Sequence, residues 1–230
     1  MRFELENLFL DISDNTGILT LNASHSNKMT QEFFEDFSMA ISECEKHNMT
    51  GLIISGGRHF STGADVDQLQ QMIKSQSVVE EKGDCDIIPP GHLRDKNTFM
   101  KLHFMKYPVI SAIGGFCIGS GCEIALNSHF RICEKNLKMG LPESTFGLLP
   151  ALGGCVRSTQ ISGISGAIEI VFSGDLFSAD DAARLGLADI ITEKKESLNT
   201  ALLFLEYINS HGEYDKSLKN IYLKQFLEER

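Results

Sequence analysis

The sequence predicts an α/β fold in which short strands, glycine-rich turns and helices alternate, followed by a helical C-terminal region. Three observations indicate this fold. Short β-rich runs recur along the chain, two of them lead through glycine-rich turns into helical patterns, and the chain after about residue 178 carries apolar residues at helical spacing. A length of 230 residues is sufficient for one domain around a single core.

The chain is predicted to begin with an antiparallel pair of strands. The runs LFLDI (8–12) and GILTLN (17–22) are separated by residues typical of a turn. Thr30 is the predicted N-cap of the first helix, because an apolar stripe at helical spacing follows it. That stripe consists of Phe33, Phe37, Ile41 and Cys44.

The next predicted strand is LIIS (52–55), which Gly56 and Gly57 end. A similar strand, VISAI (109–113), leads through the turn GGFCIGSG into the helical stretch CEIALNS. FRICE and LKM (137–139) are two further strand candidates. The repeated order of strand, turn and helix is typical of an α/β protein.

Residues 75–92 combine charge, Gly83 and a Pro-Pro pair without clean periodicity, so we expect a mobile surface loop that can serve as a lid. Ser178 to Asp181 resembles a capping box, and the stretches LNTALLFLEYI and LKNIYLKQFL have helical spacing. We therefore expect a core over residues 1–177 and a helical region over residues 178–230.

The charge balance excludes several classes of partner. The chain has 21 Lys and Arg against 31 Asp and Glu, a formal net charge of −10, and its basic residues are scattered. We therefore expect no nucleic-acid or anionic-membrane partner. Charges interrupt the N-terminal stretch, and no apolar run approaches the roughly 18 residues of a membrane span, so we expect a cytosolic protein without a signal peptide.

Cysteine and histidine spacing gives no indication of a metal. The six cysteines form no C-x-x-C pair, and four of them lie in apolar stretches, which indicates reduced core thiols. The seven histidines never fall at H-x-x-x-H spacing, and the one H-x-E, His211-Gly-Glu213, has no paired cysteine beside it. The chain also lacks a P-loop, a complete dinucleotide-binding fingerprint and a G-x-S-x-G nucleophile motif. We therefore expect no metal and no nucleotide cofactor, and the carboxylates remain as the candidate catalytic groups.

Two glycine-rich turns, FSTGADVDQL (60–69) and GGFCIGSGCEIAL (114–126), each follow a strand and expose backbone. Glycine at positions 63, 119 and 121 removes side chains where a ligand could approach the main chain. If the N–H groups of Ala64 and Ser120 converge on one oxygen, they form an oxyanion hole. The alternative is that these turns are only tight connections between a strand and a helix, which also require glycine.

Glu123 and Glu143 are the candidate acids beside these turns. Glu123 falls in the first turn of a predicted helix, where the alternative is a solvated acid favoured by the helix dipole. Glu143 lies in the apolar stretch MGLPESTFGLLP, where desolvation raises the pKa of a carboxyl group and makes it a proton donor at neutral pH. The alternative for Glu143 is a cap on a short helix.

Taken together, these motifs resemble the crotonase, or enoyl-CoA hydratase/isomerase, superfamily from about residue 5 to residue 192. The similarity rests on LTLN with Asn27 and on the segments FSTGAD, PVISAIGGFCIGSGCEIAL, PESTFGLLPALGG and FSGDLFSADDAARLGLAD, which occur in that order. The resemblance implies a spiral of ββα units with a C-terminal helical region. It also implies a homotrimer or a hexamer that binds acyl-CoA thioesters, with coenzyme A as part of the substrate and no separate cofactor.

Site residues follow from the resemblance, position by position. Glu123 and Glu143 match the two catalytic glutamates of the hydratases: Glu123 would deprotonate the water that adds to C3, and Glu143 would exchange the proton at C2. Ala64 and Ser120 match the oxyanion-hole donors. We expect the substrate-binding positions to be Gly63, Asp65 and Gly119.

The resemblance implies an enoyl-CoA hydratase, and three alternatives stay open. They are a Δ3,Δ2-enoyl-CoA isomerase, a dehydratase that acts on an acyl-carrier-protein thioester, and an acyl-CoA-binding protein without catalysis. The chain departs from the family pattern in three ways. Ser120 replaces a common glycine, Asp67 stands where many hydratases carry a lysine near the CoA phosphates, and the helical tail is short.

Overall fold

The computed structural model describes residues 1–24, 26–65 and 90–229. The strands of these residues are β1 (Arg2–Glu4), β2 (Leu8–Ser13), β3 (Thr16–Leu21), β4 (Lys28–Met29), β5 (Gly51–Ser55), β6 (Gly63–Ala64), β7 (Val109–Ile113), β8 (Phe116–Ile118), β9 (Phe130–Glu134), β10 (Lys138–Gly140) and β11 (Ile190–Thr192). The helices are α1 (Gln31–Cys44), α2 (Pro90–Phe104), α3 (Ser120–Asn127), α4 (Gly154–Phe172), α5 (Ala179–Arg184), α6 (Ser197–Ser210) and α7 (Lys219–Glu228). Two 3-10 turns span Pro142–Phe146 and Lys216–Leu218.

The main sheet has the strand order β1-β2-β3-β5-β7-β9-β11. Strands β1, β2 and β3 pair in an antiparallel manner, and every pairing from β3 onward is parallel. Asp14 and Asn15 connect β2 to β3 with φ angles of 49° and 63°, which suits a two-residue hairpin turn. The predicted antiparallel start is therefore confirmed.

The short strands form a second layer. Strand β4 pairs with β6 and β8 pairs with β10, both in parallel, and an isolated bridge joins Ser61 to Cys117. A long strand, a short strand and a helix thus follow one another repeatedly, for example β3-β4-α1 and β7-β8-α3. This is the predicted α/β spiral of ββα units, and the fold class is confirmed.

Apolar side chains cover both faces of the main sheet. On one face, Ile53, Ile110 and Phe130 pack in a cluster with Phe204 and Leu205 of helix α6. The larger cluster lies on the other face and includes the apolar stripe of α1. Strands β5, β7 and β9 are buried along their whole length, because helices cover both sides of a parallel sheet.

The helix caps agree with the sequence analysis. The Thr30 hydroxyl accepts a hydrogen bond from the Phe33 N–H, and the Ser178 hydroxyl accepts one from the Asp181 N–H. The described cysteines are free thiols, and four of them are buried, as predicted for core residues. No helix of the described residues is long and apolar enough to cross a membrane.

Several elements differ from the sequence prediction. The two predicted glycine-rich turns contain the short strands β6 and β8. The surface loop expected over residues 75–92 is wrong at residues 90–92, because helix α2 begins at Pro90, a residue type well suited to a first helical turn. The rest of that loop, with its expected role as a lid, lies outside the described residues. The region after residue 178 is mostly helical, but it also contributes strand β11 to the edge of the main sheet.

Candidate active site

The two glycine-rich turns lie side by side. Gly63, with a φ of +85°, starts β6, and Gly119, with a φ of +54°, precedes α3. A Cβ atom on Gly63 would lie 2.7 Å from the Ile118 carbonyl oxygen and 3.5 Å from the Gly119 Cα. Because both positions need left-handed backbone and there is no room for a side chain between them, only glycine fits this contact.

The two expected donors lie at this contact. Ser120 is the first residue of α3 and directly follows Gly119, so its N–H has no partner within the helix. Ala64 directly follows Gly63 in β6, and the next N–H group, that of Asp65, donates to the Met29 carbonyl of β4 (2.9 Å).

Glu143 lies against the second glycine turn. It belongs to the 3-10 turn Pro142–Phe146, and a Cβ atom on Gly119 would be 3.1 Å from its Oε1 atom. Its Oε2 atom is buried and has no hydrogen-bond partner among the described residues. Burial raises the pKa of this carboxyl group. Leu141, not Glu143, is the N-cap of the turn, so the capping alternative for Glu143 is wrong.

Glu123 is buried beneath the same turn. Its side chain is 2% exposed, which contradicts the alternative of a solvated acid. Its Oε1 atom accepts hydrogen bonds from the Leu152 N–H (2.7 Å) and the Gly154 N–H (2.9 Å). Burial raises the pKa of Glu123 to about 8, and the nearby Glu143 carboxylate adds to the effect, while the two N–H donors oppose it. The two acids are therefore close enough for the charge of one to affect the other.

The loop that holds Glu123 depends on two glycines and an asparagine that the sequence analysis did not single out. A Cβ atom on Gly154 would be 2.9 Å from the Glu123 Oε1, and Gly153 has a φ of +113°. The Asn127 side-chain amide donates to the carbonyls of Glu123 (2.8 Å) and Leu152 (3.3 Å). The Gly-Gly pair before a helical pattern was the sequence signal that could have indicated this close approach.

Asn27 and Ser61 fix the position of the first glycine turn. The Asn27 side-chain amide donates to three carbonyls of the segment after β5, namely those of Gly56, His59 and Phe60. The Ser61 hydroxyl donates to the Asn27 carbonyl (2.6 Å) and accepts from the Gly63 N–H (3.0 Å). These bonds hold the segment between β5 and β6 against the residue that precedes β4.

Asp65 forms an ion pair with Lys28, with 2.7 Å between the carboxylate and the ammonium group. Its expected contact with substrate therefore stays a prediction, and Asp67 lies outside the described residues. Within residues 1–24, 26–65 and 90–229, no group of three or more His, Cys, Asp and Glu side chains could hold a metal ion. The described site thus consists of two carboxyl groups and bare backbone.

Glu123→Gln should increase the free energy of unfolding above about pH 8, and this gain should shrink as the pH falls toward 4.5. In the wild type, folding raises the pKa of Glu123 from 4.5 to about 8, so the folded state loses stability as the pH rises through that window. Glutamine does not titrate and can still accept both N–H bonds. Urea unfolding at a series of pH values measures the difference.

The control is Glu169→Gln, the same chemical change at an exposed position of α4. It should show no comparable gain at high pH. An equal pH dependence in both variants would contradict the burial argument for Glu123.

Comparison with known proteins identifies the family. Residues 11–228 match the family model for enoyl-CoA hydratase/isomerase. A short-chain-enoyl-CoA hydratase of Clostridium acetobutylicum is 30% identical over 202 residues, which cover 86% of this chain and 73% of that protein. A crotonyl-CoA hydratase of Syntrophomonas wolfei is 30% identical over 197 residues, 84% of this chain and 72% of the relative.

Solved structures show the same fold. An enoyl-CoA hydratase from Bacillus anthracis has a TM-score of 0.77 at 23% identity and covers 96% of this chain and 90% of that one. DspI from Pseudomonas aeruginosa has a TM-score of 0.77 at 23% identity, and the match covers 95% of this chain and 85% of that one. The match of the family model over nearly the whole chain decides the assignment. This chain belongs to the enoyl-CoA hydratase/isomerase family.

Proposed function

We propose that this chain is an enoyl-CoA hydratase, which adds water reversibly across the double bond of a 2-enoyl-CoA thioester. The observation that carries the proposal is the pair of neighbouring acids beside the two glycine turns, the buried Glu123 and the half-buried Glu143. The sequence relatives named as short-chain-enoyl-CoA and crotonyl-CoA hydratases support it. Coenzyme A enters as part of the substrate.

The thioester oxygen is proposed to bind the N–H groups of Ala64 and Ser120. Addition of water to a conjugated thioester builds negative charge on this oxygen as the enolate forms. Two fixed donors stabilise that charge by about 3 kcal/mol each. Gly63 and Gly119 serve this binding because they leave the backbone bare and allow the thioester to approach it closely.

The two acids are proposed to divide the proton transfers. In the form of the pair that carries its proton on Glu143, Glu123 takes a proton from water while the water oxygen bonds to C3, and Glu143 gives its proton to C2. The bonds from Leu152 and Gly154 hold one oxygen of Glu123, so Oε2 is the atom proposed to meet the water. Burial keeps a proton on the pair at neutral pH, which is the charge state that this division needs.

The hydrogen bonds that hold Glu123 also favour a hydratase over the alternative functions. An isomerase needs chiefly one proton shuttle, for which Glu143 is sufficient. Here a second acid is buried and held by two backbone donors, which a single-acid shuttle does not require. The same pair argues against a protein that binds acyl-CoA without catalysis. The choice between CoA and carrier-protein thioesters rests on Asp67 and stays open, as does the cytosolic location.

Glu123→Gln and Glu143→Gln should each lower the rate of crotonyl-CoA hydration by about two orders of magnitude or more. Each change keeps the shape of the side chain and removes its capacity for proton transfer. Loss of the conjugated-thioester absorbance measures the rate, and Glu169→Gln is the matched control. Unchanged turnover in either variant would remove that residue from the mechanism. Activity lost only in Glu143→Gln, with a preferred 3-enoyl-CoA substrate, would favour the isomerase.

Ala64→Pro should lower the rate by about 10²–10³, because proline has no N–H to donate to the thioester oxygen. Ala64→Ser and Ser120→Gly keep the backbone donors and should be tolerated. Circular dichroism shows whether the proline variant is folded. A folded Ala64→Pro protein with wild-type activity would disprove the role of this N–H group.

We further propose that copies of this chain associate as a homotrimer or a hexamer. Helix α4 carries an exposed apolar stripe at four-residue spacing, formed by Ile164, Ile168 and Phe172, which are 73%, 54% and 65% exposed. Leu149 and Val156 are also exposed nearby in the chain. A stripe of this kind is typical of a surface that a partner covers.

Ile168→Glu should shift the protein toward monomer, because it places a charge within the apolar stripe of α4. Sedimentation velocity measures the oligomeric state. The neighbouring control Glu169→Gln should leave it unchanged. A wild-type protein that sediments as a monomer would contradict the proposal.

A further inference from the structure

A second cleft, of about 530 Å³, lies away from the two acids. Its lining includes Arg131, Arg157, Lys216 and Lys219, together with His103 and Tyr214. The proposed reaction uses none of these residues. A volume of this size is in the range of sites for small organic molecules.

The cleft lies at the opposite end of the sheet from the glycine turns. His129 and Asp189 line it and directly precede β9 and β11, whereas Gly63 and Gly119 follow the carboxyl ends of β5 and β7. A five-residue strand separates its two ends by about 16 Å. The cleft is therefore distinct from the proposed thioester site.

Positive charge is concentrated in this cleft. Arg131 and Lys219 both pair with Asp189, at 2.8 and 2.7 Å. No carboxylate of the described residues lies within ion-pair distance of Arg157 or Lys216: Arg157 bonds to the Leu126 carbonyl and Gln160, and Lys216 lies over the Phe104 ring. Four cations face one carboxylate, an excess of three positive charges in a chain whose net charge is −10.

Three buried polar atoms in the lining have no hydrogen-bond partner among the described residues. They are the Arg131 Nε, the His103 Nδ1 and the Tyr214 hydroxyl oxygen. The Arg131 side chain is only 1% exposed, and none of the three atoms has appreciable accessible surface. A ligand in the cleft would therefore interact with their charged or polar groups through the field of the cleft and not by direct contact with these atoms.

The titration behaviour of the cleft agrees with crowded cations. Burial, followed by the charges of Arg157 and Lys216, lowers the pKa of His103 to about 4. Burial, followed by the charge of Arg131, lowers the pKa of Lys219 to about 8 and that of Arg157 to about 10. A bound anion would relieve these unfavourable interactions.

We infer that this cleft binds a small phosphate-bearing polyanion, such as an organic pyrophosphate. A single carboxylate would balance one of the three excess charges, whereas a pyrophosphate group balances two or three and offers acceptors to the Arg157 guanidinium and the Lys216 ammonium groups.

Calorimetric titration of inorganic pyrophosphate into the whole protein, at neutral pH and low ionic strength, tests the inference. We expect one pyrophosphate per chain, with affinity that falls as salt is added. Lys216→Glu should weaken binding about tenfold or more. Lys216 is exposed, so its replacement should leave the fold intact. The control Lys194→Glu, the same charge change at an exposed site outside the cleft, should alter binding less than about twofold.

Three results would overturn the inference. They are no binding of pyrophosphate to the wild type, equal binding by wild type and Lys216→Glu, or displacement of pyrophosphate by saturating coenzyme A, which would place the anion in the thioester site. Lys216→Glu should keep wild-type hydration of crotonyl-CoA. That assay makes failure of the anion site distinguishable from failure of the proposed hydratase function.

Discussion

The close backbone contact between Gly63 and Ile118–Gly119 is the constraint on which the site depends. A Cβ atom at Gly63 would meet the Ile118 carbonyl oxygen at 2.7 Å, so a side chain there would push two ββα units apart. The contact joins the turn after β5 to the turn after β7, which are neighbouring parallel strands. Asn27 and Ser61 fix the first of these turns through hydrogen bonds between the segment before β4 and the segment after β5. The short strands of the second layer thus bring two distant parts of the chain together at one end of the sheet.

The positions of Glu123 and Glu143 cost folding free energy, because apolar residues would be more stable at these sites. A buried carboxyl group is more stable with its proton, and a second one nearby increases that preference. The fold offsets part of the cost for Glu123 with two backbone donors, and Asn127 holds the loop that provides one of them. Glu143 has an oxygen without such support. This difference in hydrogen bonding suits different roles for the two acids. Glu123 is held in place, whereas Glu143 is able to exchange its proton with a substrate.

Local patterns in the sequence were sufficient for most of the fold. Caps, apolar periodicity and glycine-rich turns predicted β2, β3, α1, α3, α6 and α7, because each signal lies within the element itself. Helix α2 and strand β11 were missed for a physical reason. The apolar residues of α2 follow no strong stripe, and the three residues of β11 become a strand by pairing with β9. In the site, glycine and carboxylate positions were visible, but the donors from residues 152 and 154 depend on tertiary contacts 29 and 31 residues away from Glu123.

Helix α3 runs between the end of the sheet that carries the two acids and the end that carries the basic cleft. The charged side chains near its two ends suit the direction of its dipole. Glu123 lies in its first turn, where the helix dipole favours a negative charge, and Arg157 donates to the Leu126 carbonyl near its last turn, where a positive charge is favoured. Helix α4 runs alongside: Gly154 contacts Glu123, and Arg157 reaches the basic cleft one turn later. The dipole of α3 favours the anionic form of Glu123 and so opposes the effect of burial on its pKa. The cations at the other end of α3 interact favourably with the negative end of the same dipole. One short helix therefore separates a region of acid chemistry from a region of positive charge.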